Sequence, residues 1–345
     1  MKIFSWISAA AFCAAIAFGA GAAQAQSVEA FYRGKDIRLL IGADVGGTYG
    51  LYAQLAARYL RQYIPGQPNI IMQNMPGAGG NVALNWSYSV APKDGTLIHL
   101  VHAEVLFETL LTKGVRFNAK DYQYIGRLAD ADSVILGTRQ SGARNFEDAK
   151  KREVTAGATG VTNIYALAPL MLNRLAGTRF RIIGGYKGTS DIFIAMERGE
   201  VDSAGVTYAN VSSLHADKLK NGDFIPLFTI SAKRLADYPE VPSILEFGSG
   251  AEKTLLDIYA SSAVIGRALA FPPGVPQDRV EALRTAFTKM LADPAFLAEA
   301  ERNRILLAPM APGEISAYID SVMNLPPAQI EAAQKLHEEL INSSK

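Results

Sequence analysis

Short apolar runs alternate along the chain with longer segments in which apolar residues recur every three or four positions. The run over 37–42 follows a charged stretch, as expected of a buried parallel strand. Leu51, Leu55 and Tyr59 then recur at helical spacing, which predicts an amphipathic helix. The same order predicts strands over 69–73 and 96–101 and helices over 82–90 and 105–111. This alternation is typical of a parallel α/β sheet.

A second series of strands and helices follows two strand-like runs over 122–128 and 133–138. The further predicted strands cover 153–157, 179–184, 201–206 and 225–230. From Pro272 onward the spacing is helical, and prolines punctuate the segments. We therefore predict two doubly wound α/β domains.

Composition and charge narrow the classes of function. The 345 residues are 49% hydrophobic and 19% charged, an ordinary globular composition that is long enough for two domains. The net charge is +1 and no long basic block occurs, so nucleic acid is not an expected partner. The single cysteine, Cys13, lies near the N-terminus, so no disulfide is expected.

The first residues have the pattern of an export signal over 1–25. Lys2 precedes an apolar run over 3–20, and Ala23 and Ala25 form a small-x-small cleavage site. A membrane anchor is the alternative, but the run is rich in alanine rather than leucine. We expect cleavage after Ala25 and a periplasmic location.

Two glycine-rich turns, at 43–50 and 74–81, each lie between a predicted strand and a predicted helix. Glycine lets the backbone approach a ligand closely, and the helix start that follows presents free N–H groups. These turns therefore favour a small-molecule site made from main-chain amides. The alternative is that the glycines serve turn geometry alone.

Patterns of catalysis are weak in this chain. It has no GxxxxGK[ST] motif, no GxGxxG after the first strand and no GxSxG motif. None of the four histidines lies in a carboxylate–cysteine cluster, so we predict no metal and no cofactor. His102 lies at the end of a predicted strand, where open α/β sheets bind ligands. An enzyme in this cleft would have only His102 with Glu104 available.

Several segments resemble the extracytoplasmic solute receptors of tripartite tricarboxylate transporters, the Bug-type family, over nearly the whole mature chain. The most specific match is the stretch 73–81, which is similar to the family's N-x-PGAGG signature. The other matching segments are the glycine loop at 46–49, APxDGxT at 91–96, YKG at 186–189, GxVD at 199–202 and PxGxP at 271–276.

The resemblance implies a type II periplasmic binding protein, with two α/β domains joined by crossing hinge strands. One small, usually carboxylated, organic solute would lie between the domains. The first domain would cover 26–136 and 257–345, and the second 137–256. The resemblance also implies docking on the permease subunits of a membrane transporter.

The chain departs from the family pattern at several positions. Gly50 and Gln54 stand where an Asp and an Arg are common, and His102-Ala103-Glu104 replaces smaller polar residues. Glu104 facing the cleft would repel a second ligand carboxylate unless His102 were protonated. Alternatively, Glu104 starts the next helix and points away.

We therefore predict a monomeric solute receptor and not an enzyme. The alternatives are a periplasmic sensing partner of a membrane kinase and a hydrolase of small acids that uses the same cleft. The expected ligand-binding residues of the first domain are Val45, Gly46, Thr48, Tyr49, Ala78, Gly79, Gly80, His102 and Glu104. Those of the second domain are Thr159, Val161, Thr162, Thr189, Ser190 and Tyr208.

Overall fold

The protein is described here by a computed structural model that covers residues 27–43 and 45–343. The expected export signal over 1–25 lies outside the described residues. Within them, ten strands form two sheets. The strands are β1 (Asp36–Ile41), β2 (Asn69–Asn74), β3 (Leu97–Leu100), β4 (Gln123–Arg127), β5 (Ser133–Thr138), β6 (Val154–Gly157), β7 (Phe180–Ile183), β8 (Ser203–Thr207), β9 (Phe224–Ile230) and β10 (Ala268–Phe271).

The two sheets share one topology. The first has the order β2-β1-β3-β10-β4 and the second the order β7-β6-β8-β5-β9. Three neighbouring strands are parallel in each sheet, and the fourth strand, β10 or β5, is antiparallel to both of its neighbours. We call the elements on the first sheet the first lobe and those on the second sheet the second lobe.

Fourteen α-helices surround these sheets in the described chain. They are α1 (Val28–Tyr32), α2 (Thr48–Tyr63), α3 (Asn81–Ser89), α4 (Val105–Leu111), α5 (Asp148–Lys151), α6 (Ile164–Ala176), α7 (Thr189–Glu197), α8 (Tyr208–Leu214), α9 (Ala216–Lys220), α10 (Gly250–Ile265), α11 (Gln277–Leu291), α12 (Pro294–Arg302), α13 (Pro312–Met323) and α14 (Pro327–Ser343). None of the helices in the described ranges is long and apolar enough to cross a membrane.

Helix α2 shows how the apolar pattern produces the packing. Its buried face includes Tyr52, Leu55 and Leu60. The helix packs on β1 and β2 of the first sheet and against α11. Leu51, which the spacing places on the same stripe, is instead 41% exposed. Leu51 thus lies on the exposed side of a helix that already buries Tyr49 and Gly50 in its first turn.

The chain crosses between the lobes in both directions. It leaves the first sheet after Arg127 and enters the second at Ser133, and it returns through α10 to β10. Each antiparallel strand therefore belongs to the sheet that the chain has just entered. This is the architecture of a type II periplasmic binding protein, as the family resemblance implies. The change of sheet lies before residue 133, and the division at 136 and 257 stays a proposal.

Candidate functional site

The carboxyl ends of the parallel strands in both sheets meet along the seam between the lobes, which we call the cleft. The first glycine turn follows β1, the second follows β2, and residues 101–104 follow β3. From the second lobe, residues 158–163 follow β6. Open α/β sheets bind ligands at such strand ends, so the topology brings the predicted segments to one place.

The second glycine turn has an unusual backbone. Four consecutive residues have positive φ angles, at 138° for Gly77, 45° for Ala78, 63° for Gly79 and 94° for Gly80. A Cβ atom on Gly79 would meet nothing within 4 Å, whereas one on Gly80 would lie 2.5 Å from His102 Cδ2. The turn therefore packs tightly on His102 at Gly80 and leaves open space beside Gly79.

The first glycine turn folds back on the start of α2. A Cβ atom at Gly50 would lie 1.9 Å from the carbonyl oxygen of Val45. The aspartate that the family pattern places here would not fit this backbone. The absence of a side chain at Gly50 is thus required by the path of the turn.

Three side chains stack beside these turns. The ring of Tyr49 lies parallel to that of His102, with 4.9 Å between the centroids and 11° between the planes. The guanidinium carbon of Arg267 lies 4.3 Å from the Tyr49 ring centroid. The Tyr49 hydroxyl also accepts a hydrogen bond from the Ala103 amide at 2.8 Å. The stack ties α2, β3 and the start of β10 together.

Glu104 joins this stack through His102. His102 Nδ1 lies 2.5 Å from Glu104 Oε2. Glu104 occupies the N-cap position of α4, but its side chain makes no capping hydrogen bond. Burial alone would raise the pKa of Glu104, but His102 and Arg267 outweigh that effect and hold the pKa below its ordinary value. Glu104 is therefore a carboxylate at neutral pH.

Tyr165, on α6 of the second lobe, faces this group. Its hydroxyl lies 3.2 Å from the Ser133 hydroxyl. Burial, moderated by Ser133, raises the pKa of Tyr165 to about 12, and the Glu104 carboxylate adds to the rise. Glu104 thus lies close enough to both lobes to influence tyrosines in each. We refer to Tyr49, His102, Glu104, Arg267 and Tyr165 as the polar cluster.

Two crevices contain other predicted residues. One of about 650 Å³ is lined by the second glycine turn, by parts of α4 and α14, and by Thr159, Gly160, Thr162 and Asn163. It brings together four predicted residues, Ala78, Gly79, Thr159 and Thr162. The other, of about 220 Å³, places Gly46 and Thr48 opposite α8 of the second lobe.

Several predicted residues lie apart from these features. Val45 is 47% exposed, and Val161 is half-buried. Thr189 and Ser190 begin α7 and line neither crevice. The Tyr208 hydroxyl donates a hydrogen bond to Asp237 within the second lobe. The proposed contacts of these five residues with a ligand stay predictions.

Arg267 and Tyr165 were not identified from the sequence. Arg267 is a single charged residue before the apolar strand β10, and it lies far along the chain from His102. Tyr165 lies in an apolar helix whose spacing indicates only packing. Their meeting with Glu104 depends on the crossing of the chain between the lobes, which no local pattern specifies.

The described residues offer little for catalysis. They contain no group of three or more His, Cys, Asp and Glu residues that could hold a metal ion. Within the described ranges one serine–imidazole pair exists, with Ser87 Oγ 2.9 Å from His99 Nδ1. Both residues are fully buried in the first lobe, where no substrate has access.

Comparison with known proteins gives one family. The family model described as the tripartite tricarboxylate transporter family receptor matches residues 53–314. A UPF0065 protein in the gbd 5′ region of Cupriavidus necator is 29% identical over 296 residues, which cover 83% of each chain. A UPF0065 protein of Bordetella bronchiseptica is 25% identical over 285 residues, which cover 81% of this chain and 79% of the relative.

Solved structures show the same fold at low sequence identity. A TctC solute binding protein from Polaromonas, solved without ligand, has a TM-score of 0.62 and 19% identity, covering 90% of this chain and 99% of that one. An R. palustris protein with adipate has a TM-score of 0.62 and 17% identity, covering 87% and 97%. MatC from Rhodopseudomonas palustris with bound malate has a TM-score of 0.60 and 16% identity, covering 89% and 99%.

Proposed function

Since this chain belongs to the tripartite tricarboxylate transporter receptor family, we propose that it captures a small organic acid between its two lobes in the periplasm. The captured solute is then delivered to the permease subunits of a tripartite tricarboxylate-type transporter. The export signal over 1–25, cleaved after Ala25, brings the monomeric receptor to that compartment. The lobes correspond to the domains 26–136 with 257–345 and 137–256.

The observation that carries this proposal is the open space at Gly79. Its positive φ angle and the absence of any atom within 4 Å of a Cβ position leave the turn accessible from the cleft. Thr159 and Thr162 lie across the same crevice. Main-chain amides in consecutive left-handed conformations and threonine hydroxyls are suitable donors to a carboxylate.

The family relatives support a carboxylate as the class of ligand. Adipate is present in one structural neighbour and malate in another, although each belongs to that protein alone. In this chain the start of α3 at Asn81 directly follows the turn, so its N-terminal amides add a favourable field for an anion. We propose that one ligand carboxylate is bound at this turn.

The site is tested by replacing Gly79 with valine. A β-branched side chain would fill the open space and block the approach of the ligand, so we expect affinity for the bound acid to fall at least tenfold. Gly34→Val is the matched control, because Gly34 also has a positive φ, 71°, and open space at its Cβ position, but lies before β1 and away from the cleft.

Affinities would be measured by isothermal titration with adipate, malate and straight-chain monocarboxylic acids. Native mass spectrometry of freshly purified protein would identify a co-purified acid for the same titration. Equal affinity in wild type and Gly79→Val would reject this position of the site. The receptor proposal itself fails if wild type binds none of these acids and carries no acid from the cell.

A further inference from the structure

We propose that Glu104 determines the specificity of the cleft: it rejects a second ligand carboxylate and selects a monocarboxylate whose other end is a hydrogen-bond donor. The donor is a hydroxyl or an ammonium group. This inference rests on the proposed function and names the chemical class of its solute. It distinguishes this chain from the neighbours that hold adipate and malate, which are dicarboxylates.

The first argument is the unused hydrogen-bonding capacity of Glu104. Its Oε2 atom is buried and lies 2.5 Å from His102 Nδ1, and no other residue in the described part of the chain donates a hydrogen bond to it. The side chain as a whole is 28% exposed, and we propose that the ligand reaches its exposed part from the cleft. An ionised carboxylate is acceptor-only, and a partner must therefore be a donor.

The second argument is the position of Glu104 between the lobes. Its negative charge raises the pKa of Tyr49 in the first lobe and that of Tyr165 in the second, in each case adding to the effect of burial. We therefore place the far end of a solute held between the lobes beside this carboxylate. Since the tyrosines are neutral, neither supplies a charge that would compensate a second ligand carboxylate.

The third argument is the charge balance of the polar cluster. Arg267 is only 4% exposed, and its guanidinium lies over Tyr49. His102 and, to a smaller extent, Arg267 lower the pKa of Glu104, and the opposite charges of Arg267 and Glu104 offset each other. Arg267 and Glu104 together therefore supply no surplus positive charge. A second carboxylate placed here would meet a like charge in a partly desolvated cleft, which is unfavourable.

The experiment compares acids that differ only at one end. Adipate, 6-hydroxyhexanoate and 6-aminohexanoate form one series, and succinate, 4-hydroxybutyrate and 4-aminobutyrate form a shorter one. Dissociation constants are measured by isothermal titration for wild type, Glu104→Gln and Glu104→Ser. Glu281→Gln is the control, because Glu281 is a carboxylate of the same lobe that pairs with Arg284 on the surface of α11.

We expect wild type and Glu281→Gln to bind a hydroxy or amino acid at least tenfold more tightly than the dicarboxylate of equal length. In both Glu104 variants that ratio should fall at least tenfold. The Gln variant keeps the size of the side chain and the Ser variant removes it, so agreement between them separates the charge effect from misfolding. A preference for the ammonium over the hydroxyl would identify the donor as a cation.

Two results would overturn the inference while leaving the receptor proposal intact. One is a wild-type preference for the dicarboxylate, and the other is an unchanged ratio in both Glu104 variants. If wild type binds none of the acids in either series and yields no co-purified acid, the receptor proposal fails and this inference fails with it. The outcomes are therefore distinguishable.

Discussion

His99 is a titratable side chain sealed inside the first lobe. Its Nδ1 atom lies 2.9 Å from Ser87 Oγ, which in turn lies 3.0 Å from the Tyr122 hydroxyl. Its Nε2 atom is buried and has no hydrogen-bond partner within the described residues. Burial, together with the nearby His102, lowers the pKa of His99 to about 3. A proton on this ring would thus be an unpaired buried charge.

This lowered pKa predicts a loss of stability in mild acid. A free histidine has a pKa of about 6.5, so between that pH and about 3 the unfolded chain binds a proton that the folded protein does not. The stability is fully present above about pH 6.5. It should fall by up to about 1.4 kcal/mol per pH unit below that value through this group.

The measurement is urea unfolding between pH 7 and pH 4.5, compared for wild type and His99→Gln. The variant retains a polar side chain but cannot take up the proton, so its free energy of unfolding should depend less steeply on pH. Parallel pH dependences for the two proteins would contradict the proposed role of His99. The effect of each carboxylate is common to both proteins and cancels in the comparison.

Single residues could be predicted from the sequence where a local sequence pattern identifies them. Gly79 belongs to the dense glycine turn after β2, and His102 follows β3; Gly79 lines the larger crevice, and His102 packs against Gly80 of the same turn. Arg267 was not predictable, because its partners Tyr49 and Glu104 come from chain segments that meet it only after two crossings. Whether these residues touch a ligand stays a prediction.

At the scale of elements, the second glycine turn combines two opposite requirements. Gly79 has open space at its Cβ position, whereas Gly80 lies against the ring of His102. Both have positive φ angles, 63° and 94°, which favour glycine. Alanine substitutions at these two positions therefore separate the energetic cost of the backbone conformation from the cost of close packing.

We expect Gly80→Ala to be the more destabilising of that pair. Its Cβ would lie 2.5 Å from His102 Cδ2, so the ring must move out of its stack with Tyr49. Gly79→Ala should cost about 1–2 kcal/mol for the left-handed backbone alone. Gly80→Ala should cost that amount plus about 1–3 kcal/mol of overpacking. Urea unfolding of both variants measures the difference, and equal losses would show that His102 moves freely.

Whether a strand or helix could be predicted depended on how distinctive its apolar pattern is. Strand β5 was predicted over 133–138 and is observed over Ser133–Thr138, because its apolar run is continuous. Helix α10 was not predicted. Its buried residues occur around most of its circumference, from Thr254 to Ile265, so it lacks an amphipathic stripe. Its burial comes from packing on α4 and α14, which no local sequence pattern shows.

For the whole molecule, the shared order of the two sheets explains why the cleft forms. Both lobes direct the carboxyl ends of their parallel strands to the seam, and β5 and β10 run antiparallel beside them. The βα rhythm of the sequence predicted two such domains. It did not predict that the change of sheet precedes Ser133, because β4 and β5 are similar apolar runs separated by a short connection.

The rim of the cleft contains a direct hydrogen bond between the lobes. Ser213, on α8 of the second lobe, donates to the Arg304 carbonyl oxygen of the first lobe at 2.8 Å. Arg304 has a positive φ of 52°, and the adjoining Leu306 carbonyl accepts a hydrogen bond from Tyr52 at 2.6 Å. The segment is thus held against α2, where it can serve as a fixed acceptor for the opposite lobe.

If the solute is bound by closure of the lobes, this hydrogen bond stabilises the occupied form. Removing it with Ser213→Ala should forfeit about 0.5–1.5 kcal/mol, which weakens binding roughly two- to tenfold. Ser212→Ala is the matched control, since that hydroxyl donates a hydrogen bond to the Ala209 carbonyl oxygen in its own helix, at 3.4 Å. Titration with the tightest-binding acid measures both variants. Equal affinities of wild type and Ser213→Ala would mean that the contact persists when the cleft is empty. Another contact would then have to stabilise the closed form.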